Sequence, residues 1–136
     1  MIYRAYIEGE MQGKKRARVT RQGRAYTPTE TVNAEAWVRQ CVLSQIGSPF
    51  LVGPLSVELS VDVMIPESWS KKKRAAALAG KIMPIGKPDA DNVQKLVFDA
   101  LNKIVWRDDS QIVSILFCKR YGEKPGATLL VSDRAA

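Results

Sequence analysis

Hydrophobic and polar positions along the chain recur with two periods, and their succession predicts the elements. Leu55, Val57, Leu59, Val61 and Val63 alternate with Ser56, Glu58, Ser60, Asp62 and Met64, the period of a strand with one buried face, and Pro66 ends it. Ile2 to Glu8 alternates less strictly and predicts another strand, with Ile2, Ala5 or Tyr6, and Ile7 as its apolar members. From Thr29 to Ile46 the period becomes helical: Ala34, Trp37, Val38, Cys41, Val42 and Gln45 share a face, a threonine opens the run and Gly47 stops it. A second helical stripe, Val93, Leu96, Val97, Ala100, Leu101 and Ile104, predicts a helix from Ala90 to Ile104. A short helix is expected over 67–79, beginning at Glu67. Ser110 to Tyr121 and Ala127 to Asp133 predict a terminal hairpin around Gly122-Glu123-Lys124-Pro125-Gly126. Residues 9–28 and Gly80 to Pro88 read as loops.

The resulting order, β-α-β-α-α-β-β without internal repeat, implies an α+β fold in which a mixed sheet packs on helices. At 136 residues the chain suffices for a single domain, 1–136, with a core that needs neither disulfides nor a structural metal. A hydrophobic content of 46% with 26% charged residues is that of a globular domain and argues against disorder of the whole chain.

Charge narrows the classes of function. The net charge of +7 and pI near 9.6 favour a polyanionic partner, because every Lys or Arg placed on a phosphate releases counterions. The chain contains no histidine, which excludes a His general base, Ser-His or Cys-His nucleophiles and His-ligated zinc. Carboxylates, lysine and a hard metal remain for hydrolysis. Cys41 and Cys118 lack metal-ligand spacing and predict reduced thiols in a cytoplasmic protein. No apolar run approaches the ~20 residues of a membrane helix, so no membrane partner is expected.

Basic residues gather in two places. Lys14, Lys15, Arg16, Arg18, Arg21 and Arg24 occupy the first loop without an acidic neighbour, and Lys71, Lys72, Lys73 and Arg74 fall in the short helix. Each run is either solvated surface or a set of phosphate contacts. Trp69 and Trp106 could stack on bases, although a core or interface role accounts for them equally well. Ser68 and Lys71 form an S-x-x-K string, but the chain is too short for the serine acylases that use it and lacks their other motifs.

Acids concentrate in Gly86-Lys87-Pro88-Asp89-Ala90-Asp91-Asn92-Val93-Gln94-Lys95 and in Trp106-Arg107-Asp108-Asp109. Asp-x-Asp plus a distant Asp is a natural way to hold Mg²⁺, or Mn²⁺ in its place, against a substrate phosphate. The helical period puts Asp91 and Lys95 on one face, away from the apolar stripe. The plain alternatives are helix capping and a first-turn acid for Asp89 and Asp91, and an i,i+4 ion pair for Lys95 with Asp91 or Asp99. An EF-hand is excluded, since Val93 and Gln94 stand where a ligand and the obligatory Gly belong. Phe98, on the polar side of this helix, is expected to pack under an adjacent element or a dimer partner.

The acid-rich stretch resembles the RusA family of Holliday-junction resolvases. Its marks are Asp89-Ala90-Asp91-Asn92, Lys95, Asp99-Ala100-Leu101 and Trp106-Arg107-Asp108-Asp109-Ser110-Gln111-Ile112-Val113, a close match over residues 86–113. A weaker echo lies in Lys14-Lys15-Arg16-Ala17-Arg18 and Gly23-Arg24-Ala25-Tyr26-Thr27-Pro28, similar to the phage-type branch, with Ala17 where a proline is common. The resemblance implies catalytic aspartates at Asp89, Asp91 and Asp109, a catalytic lysine at Lys95, and a homodimer; Asp108 is matched, as a metal ligand or a group behind one. The expected activity is metal-dependent endonucleolytic resolution of four-way DNA junctions, with the two basic clusters on the DNA backbone. The alternatives are a noncatalytic DNA- or RNA-binding protein with the same basic surface, and a Mg²⁺-dependent nuclease for other branched DNA.

Overall fold

The computed structural model describes residues 1–11, 18–19, 21–23, 25–26 and 29–133. Its centre is the strand that the alternation marks most clearly, β4 (Leu55–Met64). Leu55, Val57, Leu59 and Val61 are at most 1% exposed, so the flanking backbone groups must be satisfied by neighbouring strands. On one side β4 pairs antiparallel with β6 (Gly126–Asp133), on the other it pairs parallel with β5 (Ile112–Gly122). β1 (Ile2–Glu8) pairs antiparallel with β6, giving a four-stranded mixed sheet in the order β1-β6-β4-β5.

β5 and β6 therefore do not form the expected hairpin. The connection through 123–125 passes over the end of β4, which lies between them. Gly122 is required there, since a Cβ would stand 2.9 Å from Cβ of Asp62. A Gly-Pro-rich turn is equally compatible with neighbouring strands and with strands one place apart. The burial of β4 decides between them, and that is a tertiary property.

Helices α1 (Thr29–Ile46) and α3 (Ala90–Leu101) supply the other half of the core. Val38 and Val42 from α1, and Val93, Leu96, Val97, Ala100 and Leu101 from α3, join the inward row Ala5, Ile7, Leu59, Ala127, Leu129 and Val131 in one cluster. On β1 the inward residues are Ala5 and Ile7. Ile2 and Tyr6, offered as apolar members of that face, are 68% and 38% exposed, because period two assigns them to the opposite side. The backbone of Tyr6 is satisfied by a helix side chain: its N–H donates to Oε1 of Gln45 at 2.7 Å and its carbonyl accepts from Nε2 at 2.5 Å.

Two helix boundaries and the first loop also differ from expectation. The short helix α2 begins at Lys71 rather than Glu67, because Ser70 caps it by accepting from the Lys73 N–H at 3.2 Å. α3 stops at Leu101 rather than Ile104; Lys103 takes a positive φ of 67°, and Ile104 packs on the core from outside the helix. The first loop contains a small antiparallel pair, β2 (Arg18–Val19) with β3 (Ala25–Tyr26). Lys14, Lys15, Arg16 and Arg24 lie outside the described residues, Arg21 is exposed, and of Arg18 the structure describes the strand backbone. Among the described residues no helix is long and apolar enough to cross a membrane.

Candidate active site on helix α3

The apolar stripe that buries one face of α3 leaves Asp91, Lys95, Asp99 and Asn102 successively along another. Asp91 and Lys95 are exposed, and Asp99 and Asn102 are half-buried. Asp91 sits in the first turn, where the helix dipole favours a negative charge. Among the described residues neither Asp91 nor Lys95 forms an ion pair within 4.0 Å, so their mutual salt bridge does not account for them.

Asp89 occupies the N-cap position with φ −72° and ψ 137°, but its side chain makes no capping hydrogen bond to the helix backbone. Its Oδ2 instead accepts from Nδ2 of Asn92 at 3.3 Å. The capping explanation of this carboxylate is thereby removed. Asp89 follows directly on the Lys87–Pro88 peptide, which is cis.

The second acidic segment is held rigidly beside the far end of α3. Trp106 is fully buried and packs edge-to-face on Phe98, ring centroids 5.7 Å apart. This places Trp106 in the core and excludes base stacking for it. Phe98, 7% exposed, is buried by the same contact within the chain. The Phe50 and Leu51 N–H groups donate to the Ile104 and Val105 carbonyls at 3.0 and 2.7 Å, and Gln111 Nε2 donates to the Leu51 and Gly53 carbonyls, each at 3.0 Å. Asp108 and Gln111 form a reciprocal capping box around the 3-10 turn Asp109–Gln111: Oδ2 of Asp108 accepts from the Ser110 N–H at 2.9 Å, and Oε1 of Gln111 accepts from the Asp108 N–H at 2.9 Å. Hydrogen bonds from the Ser110 side chain and N–H, with the nearby Arg107 charge, hold the Asp108 carboxyl below its ordinary value. Asp108 thus has a structural occupation that Asp109 lacks.

Asp109 points at the polar face of α3. Burial, then the charges of Asp108 and Asp99, push its carboxyl above the ordinary value; a hydrogen bond with Asn102 and the charge of Lys95 act the other way. The structure therefore brings Asp109 within range of the Lys95 charge. It adds Asp99 and Asn102, which sequence reasoning did not assign to the site, although their spacing from Asp91 and Lys95 was available as a signal. The donor chemistry, several carboxylates with no softer ligand, suits a hard divalent cation. Among the described residues no three acids are gathered closely enough to hold one.

The sequence model of the family described as "Endodeoxyribonuclease RusA" matches residues 8–132. The chain belongs to the RusA family. It is also 31% identical over 138 residues to the uncharacterized protein YqaN of Bacillus subtilis (strain 168), covering 98% of this chain and 96% of that protein. The RusA match spans every element from the end of β1 to β6, so it includes the helix that carries the acids and the strand pairing that supports it.

The basic helix lies at the other end of β5 from Asp109. Lys71 and Lys72 are exposed at the start of α2, and among the described residues their ammonium groups are unpaired. Lys73 Nζ lies 3.9 Å from the ring centroid of Trp69, which packs edge-to-face on Tyr121 at 5.2 Å, while Arg74 Nη1 donates to the Pro66 carbonyl at 3.1 Å. Two of the four basic side chains thus anchor the helix, and two are free for a ligand.

Proposed function

We propose that this RusA domain is a Mg²⁺-dependent endodeoxyribonuclease that resolves four-way DNA junctions by paired phosphodiester hydrolysis. The reading is supported by the polar face of α3, where Asp91 and Lys95 stand exposed and without an ion pair among the described residues and the charge of Lys95 acts on Asp109, in a chain of net charge +7. A pure binding protein gains nothing from uncapped and unpaired carboxylates beside phosphates. Asp89, Asp91 and Asp109 would hold the cation, with Asp108 beside them.

When bound, the cation supplies charge neutralisation on the phosphate and a water of lowered pKa for in-line attack. The protein's own groups supply the remainder. Lys95 offers positive charge where the transition state gathers negative charge, and the capping box fixes the turn that carries Asp109. Lys71 and Lys72 fix register on phosphates away from the scissile one without reading sequence. A junction has near two-fold symmetry and needs two cuts, which a closed homodimer with two identical sites would make.

The test is cleavage of a synthetic four-way junction alongside duplex, flap and single-strand controls, with Mg²⁺ and with chelator. Paired nicks in the junction, dependent on Mg²⁺, are expected. Preferential cutting of the flap would make the protein a nuclease for other branched DNA, and tight junction binding without cutting would make it a binding protein.

A further inference from the structure

β5 carries a charged residue where its period calls for an apolar one. The row facing the helices reads Ile115, Phe117, Lys119, Tyr121, with Lys119 opposite Val61, which is 1% exposed. An ammonium in such a row is tolerated only if its protons find acceptors. Lys119 Nζ donates to the carbonyl of Gly86 at 2.7 Å and to that of Pro88 at 3.0 Å.

Both acceptors belong to the irregular segment that delivers Asp89. Residues 82–88 lie in no helix or strand, and among the described residues their backbone makes no other hydrogen bond. Pro88 is covalently joined to Asp89, and α3 starts at the next residue. Asp89, for its part, does not hold itself on the helix through a side-chain cap. The backbone on which Asp89 is mounted is thus tied to the helix-facing row of β5.

We infer that Lys119 is a positioning residue: its ammonium clamps the 86–88 backbone and so fixes where Asp89 presents its carboxylate. This inference rests on the nuclease reading for its consequence, though not for the clamp itself. A plain structural lysine would add stability alone. A positioning lysine must alter turnover more than binding, since misplacing a reacting group by ~1 Å costs about a hundredfold in rate.

Lys119→Met keeps the apolar stem and removes the donors; Lys119→Arg keeps donors. With a four-way junction and Mg²⁺, Lys119→Met is expected to lower kcat at least about tenfold with KM changed less than about twofold, and Lys119→Arg to recover a large part of the loss. Amide hydrogen exchange of the metal-free protein gives a second readout: 85–92 should exchange faster in Lys119→Met while β4 and β6 stay protected. Unchanged exchange over 85–92 overturns the clamp. Faster exchange with undiminished kcat, or equal losses in kcat and binding, overturns the positioning role. Should Lys119→Met not fold, Lys119→Gln, which keeps one donor, serves in the same two measurements. A wild-type protein that cuts no DNA refutes the nuclease reading before any variant is made, and the exchange result then decides the clamp by itself.

Discussion

The indole Nε1 of Trp106 donates to Oδ1 of Asn102 at 2.8 Å, and this bond connects the core to the candidate site. Trp106 is fully buried, so its single polar atom needs that acceptor. With Oδ1 committed to the indole, the amide nitrogen of Asn102 is the atom left to donate to Asp109, whose carboxyl that hydrogen bond lowers. Asn102→Ala should cost about 1–3 kcal/mol in urea unfolding, the penalty for an orphaned buried donor. Combined with Trp106→Phe, its effect should be clearly less than additive, because the indole N–H is then gone.

The raised Asp109 carboxyl sets the sign of a pH effect. In the folded state the protonated form is favoured by burial and by Asp108 and Asp99, so the group's favourable contribution is complete below the ordinary carboxylate range and is lost as pH rises through the raised value. Asp109→Asn should therefore make the metal-free protein more stable at pH 7, and the advantage should vanish as pH falls below about 4. Thermal melts in chelator across that range check it. A variant less stable than wild type at pH 7 would show that the carboxylate is instead favourably paired.

Asp91, exposed and without an ion-pair partner among the described residues, has no evident structural duty beyond a first-turn charge. Asp91→Asn should abolish cleavage, at a stability cost of no more than about 0.3–1 kcal/mol from the lost dipole interaction. Junction binding should be retained or tightened, since a charge that repels the backbone is removed. Gel-shift and cleavage assays on one preparation separate the two effects.

Most of the fold was legible from periodicity because the core is made of complete stripes: α1 and β4 have the bounds their patterns predict. The sheet order was not. The tie between β5 and β4 is parallel and long-range, and nothing local distinguishes it from a hairpin with β6. In the candidate site, Asp91 and Lys95 could be placed on one face by helical spacing alone. Asp99 and Asn102 fall on that same face by spacing, but their roles, like that of Lys119, depend on neighbours outside their own element: Asp109 for the first two, Gly86 and Pro88 for the third.

Lys95 lies one turn beyond Asp91 and acts on Asp109 through its charge. Lys95→Ala should reduce single-turnover cleavage at least about tenfold with a far smaller change in affinity, as expected of a charge used mainly in the transition state. Matched losses of rate and affinity would reduce Lys95 to a phosphate anchor.

The start of α2 opposes its own helix dipole. Lys71, Lys72 and Lys73 occupy the first turn with no acid among them, where positive charge is unfavourable. Lys73 is partly accounted for by Trp69 beneath it and Arg74 by the Pro66 carbonyl, which leaves Lys71 and Lys72 without a stabilising role. The double variant Lys71→Ala/Lys72→Ala should therefore be as stable as wild type or slightly more so, yet bind junction DNA more weakly. The slope of log K against log salt should flatten by about 0.9 for each lost duplex-phosphate contact, while cleavage at saturating protein survives. Lys73→Ala should behave differently, since it removes the cation over Trp69, loosening α2 from Tyr121 and lowering stability by about 0.5–1 kcal/mol. If the double variant kept full affinity and an unchanged salt slope, α2 would be solvated surface and the phosphates would be held elsewhere on the molecule.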